Sequence, residues 1–488
     1  MNDGSTTLPA IGDVAEDREA LRAENERLAR RVAELERKLS LQPQTGLPTR
    51  FRLELELDEL VETLDRSGGG SGFSLLIVQL GDTYAIVRKT LKTSVSEWIL
   101  YQTGCRIASL LRPEDRVFHT HESEFVLILP GLKGQELAAF MRRLGAKLAE
   151  PHIFAGYNIV IKTAAGISYW PEHGRDRSSA LRNADIAAGA ASEARKPFVL
   201  FRPELLRRVV EKVELQNSII KAIESPALER IGEQFVMYYQ PKLFASALEG
   251  GVMTVSRIEA EALIRWRHPT KGLLCPSSFI PLAEETGLIL PLGKWLVYQC
   301  VRRLAAWDRE GRRDLALSVN LSARQFHSED AVEVLSSALS ATGVSPSRLI
   351  VELTETSLFD DPAAAAQILK RFSALGLRVS VDDFGTGYSS LSHLHRFPLD
   401  EIKIDRLFIE NLVANRHDRV IVQSLVAIAQ GLGLSLVAEG VERPEAVQAL
   451  WDMGCRGFQG FLVSMPLPPD DFAAFHDRVV ADGMKFRL

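Results

Sequence analysis

The sequence predicts an α/β protein whose C-terminal half is a (β/α)8 barrel, preceded by an α+β domain and an N-terminal coiled coil. Three patterns support this fold class. From residue 232 onward, eight short apolar segments alternate with amphipathic helical stretches, which is the count expected for such a barrel. Residues 41–202 mix strand and helix patterns, and residues 15–40 repeat apolar side chains at heptad spacing.

Composition limits the possible functions. The chain has 488 residues, of which 46% are apolar and 25% charged, enough for two or three domains. A net charge of −5 disfavours a nucleic-acid polymer as partner, because such proteins usually carry a basic excess. The four cysteines form no CxxC pair, so neither a disulfide framework nor structural zinc is indicated. Since neither a signal-peptide pattern nor a membrane span is found, we expect a cytoplasmic protein.

The N-terminal residues are predicted to form a disordered tail at 1–14 and a coiled-coil helix at 15–40. One heptad position holds Leu21, Leu28 and Leu35, and the other holds Asn25, Val32 and Leu39. A lone Asn in the seam favours two parallel strands, because two buried amides satisfy each other in that register. The sequence therefore predicts a homodimer. The alternative is a solvated charged helix, since so short a heptad run is marginal.

Residues 41–202 contain three strand patterns and one clear helix pattern. The strands are FSLLIVQL at 73–80, EFVLILPG at 124–131 and NIVIKTAAGISY at 158–169, and the helix is ILYQTGCRIASLLR at 99–112. Short apolar runs predict the strands, and helical spacing of apolar residues predicts the helix. A charged helical stretch at 203–231 then predicts a semi-rigid linker to the barrel.

The barrel is expected to span residues 232–488. Its first two strand patterns are separated only by residues 243–254, too few for a helical crossover, so one strand of this pair should run antiparallel. Nearly every strand candidate finishes in a polar residue. In chain order these are Gln240, Glu261, Asn320, Glu352, Asp382 with Asp383, Lys403, Glu439 and Gln459. A solvated rim residue or helix cap explains any single one, but explains all eight strands poorly.

This set of side chains predicts a metal site. The C-terminal ends of barrel strands meet at one mouth, so the side chains should share one pocket. Carboxylates and an amide oxygen without His or Cys suit Mg²⁺ or Mn²⁺ rather than zinc or iron. So many anionic groups imply more than one cation, and the adjacent Asp382 and Asp383 suit a bridging role across about 3.5–4 Å. Two metals can activate a water and stabilise a leaving alkoxide, as phosphodiester cleavage requires.

Lys403 is the one cationic residue among these strand ends. It fits as a donor that orients the attacking water or neutralises charge that develops on the phosphorane. The alternative is an ordinary rim lysine that pairs with Asp405.

Eight short motifs carry these residues. They are QPK at 240–242, EALIRW at 261–266, SVNLS at 318–322, ELTE at 352–355, DDFGTGYSSL at 382–391, KID at 403–405, AEGVE at 438–442 and QGF at 459–461. Together they closely resemble the EAL-domain cyclic di-GMP phosphodiesterases, over residues 233–480 and with no motif missing. The resemblance implies hydrolysis of cyclic di-GMP to linear pGpG, and dimerisation through the barrel as well as through the coiled coil.

The resemblance also implies a role for each site residue. The metal ligands, for two Mg²⁺ or Mn²⁺ ions, would be Glu261, Asn320, Glu352, Asp382, Asp383 and Glu439. The substrate contacts would be Gln240, Leu263, Arg265 and Gln459, with Arg265 reaching a phosphate. Catalysis would depend on Glu261, on Lys403 as the residue that orients water, and on Glu355. Glu355 would hold the loop after Asp383, in which Gly385 and Gly387 permit a tight turn.

The middle domain carries TGLPTR at 45–50, HESEF at 121–125 and Ala184 followed by Asp185. These motifs resemble a GGDEF domain, the cyclase fold that makes the same messenger. Where that family has two glycines, this chain has His121 and Glu122, larger residues that crowd the nucleotide site, and Ser123 replaces the metal-binding acid. The family's first-strand aspartate is also missing, with Gln79, Leu80 and Gly81 in its place. The resemblance therefore implies a degenerate domain at 41–202 without cyclase activity.

Arg112 and Asp115 form an RxxD pattern five residues before HESEF. This is the spacing of the inhibitory product site in the GGDEF family, so the pair could bind the guanine and phosphate of cyclic di-GMP. A plain surface ion pair is an equally good explanation.

Two functions are compatible with the sequence. The first is a regulated phosphodiesterase, in which the coiled coil and the silent cyclase-like domain set the dimer geometry of the barrel. The second is a non-catalytic receptor that binds cyclic di-GMP and signals to a protein partner. The complete set of metal ligands favours the first, and the HESEF substitution argues against a third function, that of a cyclase.

Overall fold

The computed structural model describes residues 24–25, 27–28, 30–31, 40–66, 72–154, 156–223, 228–385 and 396–488. The chain divides into two compact units, Met1–Glu211 and Lys212–Leu488. The predicted tail and most of the predicted coiled coil lie outside the described residues, so both stay predictions. No helix within the described ranges has the length and apolar composition needed to cross a membrane.

The N-terminal unit contains a five-stranded sheet with helices on both faces. The strands of this unit are β1 (Phe73–Leu80), β2 (Arg116–His121), β3 (Glu124–Pro130), β4 (His152–Phe154), β5 (Tyr157–Ile159), β6 (Thr163–Trp170) and β7 (Phe198–Leu200), of which β4 and β5 form a separate hairpin. Its helices are α1 (Arg50–Arg66), α2 (Asp82–Thr90), α3 (Thr93–Ala108), α4 (Gly134–Leu148) and α5 (Arg177–Glu193). The sheet order is β2-β3-β1-β6-β7, and the strands predicted at 73–80 and 124–131 are confirmed.

Central strand β1 is apolar on both sides because both faces of the sheet are covered. Leu76 and Val78 belong to a core shared with α2, α3 and α4. Leu75 and Ile77, on the opposite face, belong to a second core shared with α1 and α5. The alternation places successive side chains of one strand in two different cores.

Two predicted elements of this unit have different bounds in the structure. The segment 158–169, predicted as one strand, begins inside a separate hairpin in which β4 pairs with β5. Only β6, from Thr163 onward, joins the main sheet beside β1. The single-strand prediction was wrong because an apolar run does not mark where the backbone changes its pairing partner. The helix predicted at 99–112 exists as α3, which begins at Thr93 and ends at Ala108.

Two helices, α6 (Pro203–Ile223) and α7 (Leu228–Gln234), occupy most of the predicted linker at 203–231. Helix α6 begins with Pro203, a residue whose fixed φ and missing N–H suit the first helical position. Its last turn is buried at Ile219, Ala222 and Ile223, which pack into the core of the C-terminal unit.

The C-terminal unit is a closed eight-stranded barrel. The strands of this unit are β8 (Phe235–Glu249), β9 (Val252–His268), β10 (Gly272–Leu274), β11 (Ala316–Leu321), β12 (Leu349–Thr354), β13 (Arg378–Phe384), β14 (Glu401–Ile404), β15 (Ser435–Ala438), β16 (Gly457–Phe458) and β17 (Lys485–Arg487). Strands β10 and β17 pair with β9 and lie outside the ring of eight. Around the barrel the order is β9-β11-β12-β13-β14-β15-β16-β8, and β8 pairs again with β9. Strand β8 is antiparallel to both neighbours, so the predicted barrel with one antiparallel strand is confirmed.

Helices follow the barrel strands as expected of this architecture. They are α8 (Ile280–Thr286), α9 (Ile289–Arg309), α10 (Ala323–Phe326), α11 (Ala331–Thr342), α12 (Glu355–Phe359), α13 (Pro362–Ala374), α14 (Arg406–Glu410), α15 (Arg416–Leu432), α16 (Pro444–Met453) and α17 (Pro469–Ala481). Short 3₁₀ turns lie at Pro276–Ser278 and Pro346–Arg348. One continuous apolar core joins the outer sides of the strands to these helices.

The first two barrel strands are longer than the sequence pattern suggested. The predicted loop at 243–254 is mostly strand, and the turn is the pair Gly250 and Gly251, with φ of 56° and 75°. Such positive φ values at both positions of a two-residue turn suit glycine and match the twist of a hairpin. Gln240 and Glu261 therefore face each other in the middle of long strands rather than at strand ends.

Candidate active site

The inner side of the barrel is polar at alternating strand positions. Residues two apart on a strand share a face, and five strands contribute such pairs. They are Gln240 with Lys242, Glu259 with Glu261, Ser318 with Asn320, Ser380 with Asp382, and Glu401 with Lys403. Hydrogen bonds between side chains of different strands show that these residues converge.

Lys403 lies at the centre of four carboxylates. Its Nζ is 2.5 Å from Glu439 Oε1, 2.9 Å from Glu352 Oε2, 3.3 Å from Asp382 Oδ1 and 3.4 Å from Glu261 Oε2. Burial alone would lower the pKa of Lys403, but the carboxylates hold it well above its usual value. The charge of this lysine is thus fixed by its surroundings.

The alternative role of Lys403 as a rim lysine paired with Asp405 is wrong. Only 1% of the side chain of Lys403 is exposed, so it is an interior residue. Asp405 instead caps α14, where its Oδ1 accepts a hydrogen bond from Leu407 N at 2.6 Å.

Glu261 is held by side chains from strands β11 and β14 and by Gln459, which directly follows β16. Its Oε1 accepts from Asn320 Nδ2 at 2.7 Å, and its Oε2 accepts from Gln459 Nε2 at 2.6 Å and from Lys403. Gln459 Nε2 also lies 3.1 Å from Gln240 Oε1. Burial, and next the charge of Glu352, raise the pKa of Glu261. One predicted metal ligand, one predicted substrate contact and the predicted catalytic lysine are therefore in contact with this carboxylate.

Asp382, Asp383 and Glu439 can offer one oxygen each within 4.8 Å of one another. Burial and the neighbouring charge of Asp382 raise the pKa of Asp383 to about 7. Burial likewise raises the pKa of Glu439 to about 8, although Lys403 acts in the opposite direction. Concentrated negative charge of this kind is what a divalent cation with oxygen ligands relieves.

Local backbone irregularity aims the two aspartates. Strand β13 shifts its register against β14 between Val381 and Phe384, and Asp383 has a φ of +54°. Its amide donates to Asp382 Oδ1 at 2.9 Å. Non-glycine residues rarely adopt this conformation, and irregular strand ends commonly redirect side chains at functional sites.

A cavity of about 280 Å³ opens beside this cluster. Predicted residues in its wall are Gln240, Glu261, Leu263, Asp382, Glu439 and Gln459. Five further wall residues were missed by the sequence reasoning: Arg406, Gly440, Glu442, Gly460 and Phe461. Arg406 directly follows the KID motif and pairs with Glu442 at 3.1 Å, whereas Phe461 is the last residue of QGF and is 52% exposed. Their positions inside or next to the motifs were the available signal.

Arg265 and Glu352 are not in the wall of this cavity. Arg265 is buried on the same face of β9 as Glu261 and Leu263; its Nη1 donates to Ile264 O at 2.9 Å. Glu352 is fully buried and lies below the cavity, where it contacts Lys403. Burial alone would raise the pKa of Glu352, but two lysines lower it to about 2.

Glu355 anchors the beginning of the loop that follows the two aspartates. Its side chain is buried, and its Oε2 accepts a hydrogen bond from Gly385 N at 3.0 Å. Gly385 has a φ of +100°, which only glycine adopts readily. This contact agrees with the role that the resemblance implies for Glu355, while Gly387 and the rest of the loop lie outside the described residues.

In the N-terminal unit, the polar residues of the HESEF hairpin bind one another. Glu124 Oε1 lies 2.5 Å from Thr120 Oγ1 and 3.0 Å from His121 Nδ1. His121 Nε2 lies 3.1 Å from Arg50 Nη1. Asp185 accepts from Gln79 Nε2 at 3.1 Å. All of these side chains except Gln79 line a cavity of about 430 Å³.

Arg112 and Asp115 are bound to each other. Asp115 accepts from Arg112 N at 2.8 Å, from its Nε at 3.2 Å and from its Nη2 at 2.9 Å. Arg112 Nη2 also donates to Pro130 O. This geometry is that of a local ion pair, and the nucleotide site suggested for these residues stays a prediction.

Two family models match the chain and together cover most of it. The EAL domain model matches residues 225–466, and the model of the diguanylate cyclase, GGDEF domain, matches residues 41–197. The chain belongs to the family of proteins that join a GGDEF domain to an EAL domain. The family predicted from the sequence motifs is thereby confirmed.

Curated relatives of this GGDEF–EAL protein are longer than the chain. It is 34% identical over 431 residues to the bifunctional diguanylate cyclase/cyclic di-GMP phosphodiesterase MucR of Pseudomonas aeruginosa, covering 88% of the chain and 60% of MucR. It is 33% identical over 435 residues to the cyclic di-GMP phosphodiesterase PdeR of Escherichia coli, covering 89% of the chain and 63% of PdeR. The chain thus spans less than two thirds of the length of both.

A solved structure of similar architecture is the S helix-GGDEF-EAL portion of Vibrio cholerae LapD bound to c-di-GMP. It covers 90% of this chain and 100% of its own, with a TM-score of 0.56 and 16% sequence identity. At this identity the likeness concerns the fold alone. The structure titled PaMucR phosphodiesterase, c-di-GMP complex, is 40% identical and covers 53% of this chain and 99% of its own, with a TM-score of 0.48.

Proposed function

We propose that the barrel hydrolyses one phosphodiester bond of cyclic di-GMP, giving linear pGpG, in a reaction that depends on divalent metal. The observation that carries the proposal is the buried Lys403 surrounded by carboxylates at 2.5–3.4 Å. Such a concentration of ionisable groups beside a cavity is typical of a catalytic site. The names of the relatives MucR and PdeR support cyclic di-GMP as the substrate.

The residues proposed to hold metal fit that task by their chemistry. They are Glu261, Asn320, Glu352, Asp382, Asp383 and Glu439, all oxygen donors of the kind that Mg²⁺ and Mn²⁺ prefer. Burial first, and the neighbouring carboxylates next, raise the pKa values of Asp383 and Glu439, and a bound cation would favour the charged form of both groups. We propose two ions per barrel, which would lower the pKa of a bound water and stabilise the leaving oxygen.

The remaining site residues orient the reactants. Lys403 would donate a hydrogen bond to the attacking water or to a phosphate oxygen, and its contacts with four carboxylates of the site support this role. Gln240, Leu263 and Gln459 form the cavity wall against which the substrate would lie, and Gln459 Oε1 has no hydrogen-bond partner among the described residues. Arg265 would move its guanidinium from Ile264 O to a phosphate, where a charged hydrogen bond is stronger.

The N-terminal domain is proposed to regulate the barrel without cyclase activity. Its HESEF hairpin and Asp185 have their polar groups paired internally, and the hairpin lacks the glycines that let a backbone approach phosphates closely. We further propose that the protein acts in the cytoplasm as a homodimer, held through residues 15–40 and through the barrel. The number of chains per particle in solution, measured before and after deletion of residues 15–40, would test the first of these contacts.

The decisive experiment is turnover of cyclic di-GMP by the pure protein with Mg²⁺ or Mn²⁺. The expected product is pGpG, and Glu261→Ala should abolish its formation. Glu249→Ala is a matched control, because Glu249 is an exposed residue of the same hairpin at the glycine turn. Absence of product from the unmodified protein, or equal product from Glu261→Ala, would instead indicate a receptor that binds the messenger and signals to a protein partner.

A further inference from the structure

A second lysine, Lys242, lies beneath the candidate active site and has no assigned role. It is the second residue after Gln240 on β8, and none of its side chain is exposed. Its Nζ lies 2.5 Å from Ser318 Oγ, 3.0 Å from Glu352 Oε1 and 3.3 Å from Glu401 Oε1. All of these partners are buried. Lys242 is therefore an interior cation on the floor of the barrel.

Lys242 and Lys403 hold opposite oxygens of the same carboxylate. Glu352 Oε1 accepts from Lys242 at 3.0 Å, whereas Glu352 Oε2 accepts from Lys403 at 2.9 Å. Because Lys242 contacts Oε1, Oε2 is the oxygen of Glu352 that faces Lys403 and the other carboxylates around that lysine. A carboxylate fixed at one oxygen can present the other in one orientation only, which reduces the freedom that a metal would have to restrict.

Charged side chains are more costly to bury on the floor of the barrel than apolar side chains would be. In barrels of this architecture the interior is usually filled by branched apolar side chains, and buried ion pairs are often replaceable by apolar residues without loss of stability. Here Glu401 Oε2 has no hydrogen-bond partner among the described residues, so the network is not optimised for stability alone. Stability alone therefore does not account for Lys242, which points to a functional role.

We infer that Lys242 is a positioning residue of the active site, which fixes Glu352 from below so that its Oε2 is presented to a divalent cation. This inference rests on the proposed function, because it takes Glu352 as a metal ligand. The competing explanation is that Lys242 only neutralises Glu401. The two explanations differ in what restores the protein after Lys242 is removed.

The test uses the full chain and three variants. Lys242→Met keeps the length of the side chain and removes its charge. Glu401→Gln is the matched control, because it removes the other carboxylate partner of Lys242 and leaves Glu352 untouched. The double variant removes both groups, so no net charge is lost from the Lys242–Glu401 pair. Binding of Mn²⁺ is followed by the electron paramagnetic resonance of the free ion, and the unfolding temperature is measured on the same samples.

We expect Lys242→Met to weaken Mn²⁺ binding about 10-fold or more, as removal of a residue behind a metal ligand commonly does. Glu401→Gln should bind Mn²⁺ within about threefold of the unmodified protein, well below such an effect. The double variant should regain unfolding temperature but not Mn²⁺ affinity. It also carries the test if Lys242→Met alone fails to fold.

Two results would overturn the inference. One is unweakened Mn²⁺ binding by the double variant, which would assign Lys242 to charge balance alone. The other is equal weakening by Glu401→Gln, which would mean that the whole floor, not the contact with Glu352, sets the affinity. Failure of the unmodified protein to bind Mn²⁺ would contradict the proposed metal dependence instead, and turnover measurements on the unmodified protein report the proposed activity separately.

Discussion

The barrel and the N-terminal domain treat their polar residues in opposite ways. In the barrel, Glu439 and Asp383 lie close to other carboxylates, and their pKa values are raised to about 8 and about 7. In the N-terminal domain, Glu124 is bound by Thr120 and His121. In the barrel, four carboxylates share the single cation Lys403, whereas Glu124 has a hydroxyl and an imidazole as its partners. A cluster of carboxylates in an electrostatically unfavourable arrangement is a better indicator of a functional site than a set of polar groups that are paired with one another.

The same contrast applies to the hairpins of the two units. The hairpin of β8 and β9 has its two-residue glycine turn far along the strands and places Gln240 opposite Glu261 in the barrel interior. The HESEF hairpin has its turn at the site itself, where Glu122 and Ser123 occupy the positions between β2 and β3. Larger residues at such a turn restrict the approach of a ligand to the backbone. The turn between β8 and β9 lies far from the site, so larger residues there would not restrict the approach of a ligand.

The largest effect is expected for Lys403→Met. Four carboxylates would lose their shared cation, and we expect turnover of cyclic di-GMP to fall about 10²–10³-fold, as for loss of a donor that stabilises developing charge. Lys271→Met, at an exposed lysine of the barrel, should leave turnover unchanged. If turnover fell by less than about fivefold in Lys403→Met, this would contradict the proposed role of the Lys403 charge in catalysis.

Metal binding should change the stability of the barrel but not that of the N-terminal domain. A ligand present at 100 times its dissociation constant stabilises a folded protein by about 2.7 kcal/mol. Mn²⁺ should therefore raise the unfolding temperature of the barrel by several degrees and leave that of the N-terminal domain unchanged. Thermal unfolding with and without EDTA would measure both. Asp382→Asn should remove the response, and an equal response after this change would place the metal elsewhere.

Sequence reasoning located the upper layer of the barrel site well because its residues lie in dense motifs. It missed Lys242 even though this residue is part of QPK, because the pattern reading ended the first strand at Gln240. Once β8 is seen to continue to Glu249, Lys242 falls on the same face two residues later. Its distances to Glu352 and Glu401 depend on packing between strands far apart in the chain, which no local pattern encodes.

The loop after Asp383 offers an intermediate effect. Glu355→Gln keeps the size of the side chain but weakens the hydrogen bond from Gly385 N to Glu355 Oε2, since a neutral acceptor is weaker than a charged one. We expect kcat/KM for cyclic di-GMP to fall about 10-fold, which corresponds to about 1.4 kcal/mol. Thr356→Ala, at the next and exposed residue of α12, is the control. Equal kinetics of Glu355→Gln and the unmodified protein would show that this anchor is dispensable.

The smallest expected effect concerns Arg112 in the N-terminal domain. Arg112→Ala removes two of the hydrogen bonds to the buried Asp115 but keeps the one from the backbone N. Because the guanidinium is 41% exposed, the loss of stability should be only about 1 kcal/mol, measurable by denaturant unfolding. Barrel turnover should stay within about twofold, well inside the range of an indirect effect.

The same variant decides between the two roles of this pair. If Arg112 and Asp115 bind cyclic di-GMP, the amount bound per chain should fall with Arg112→Ala when equilibrium dialysis is done in EDTA, which prevents turnover. Such binding would require the guanidinium to leave Asp115 for a phosphate, an exchange between two anionic partners of similar strength. Unchanged binding would make the pair a structural contact, and the N-terminal domain would then contain only internally satisfied charges at both of its predicted sites.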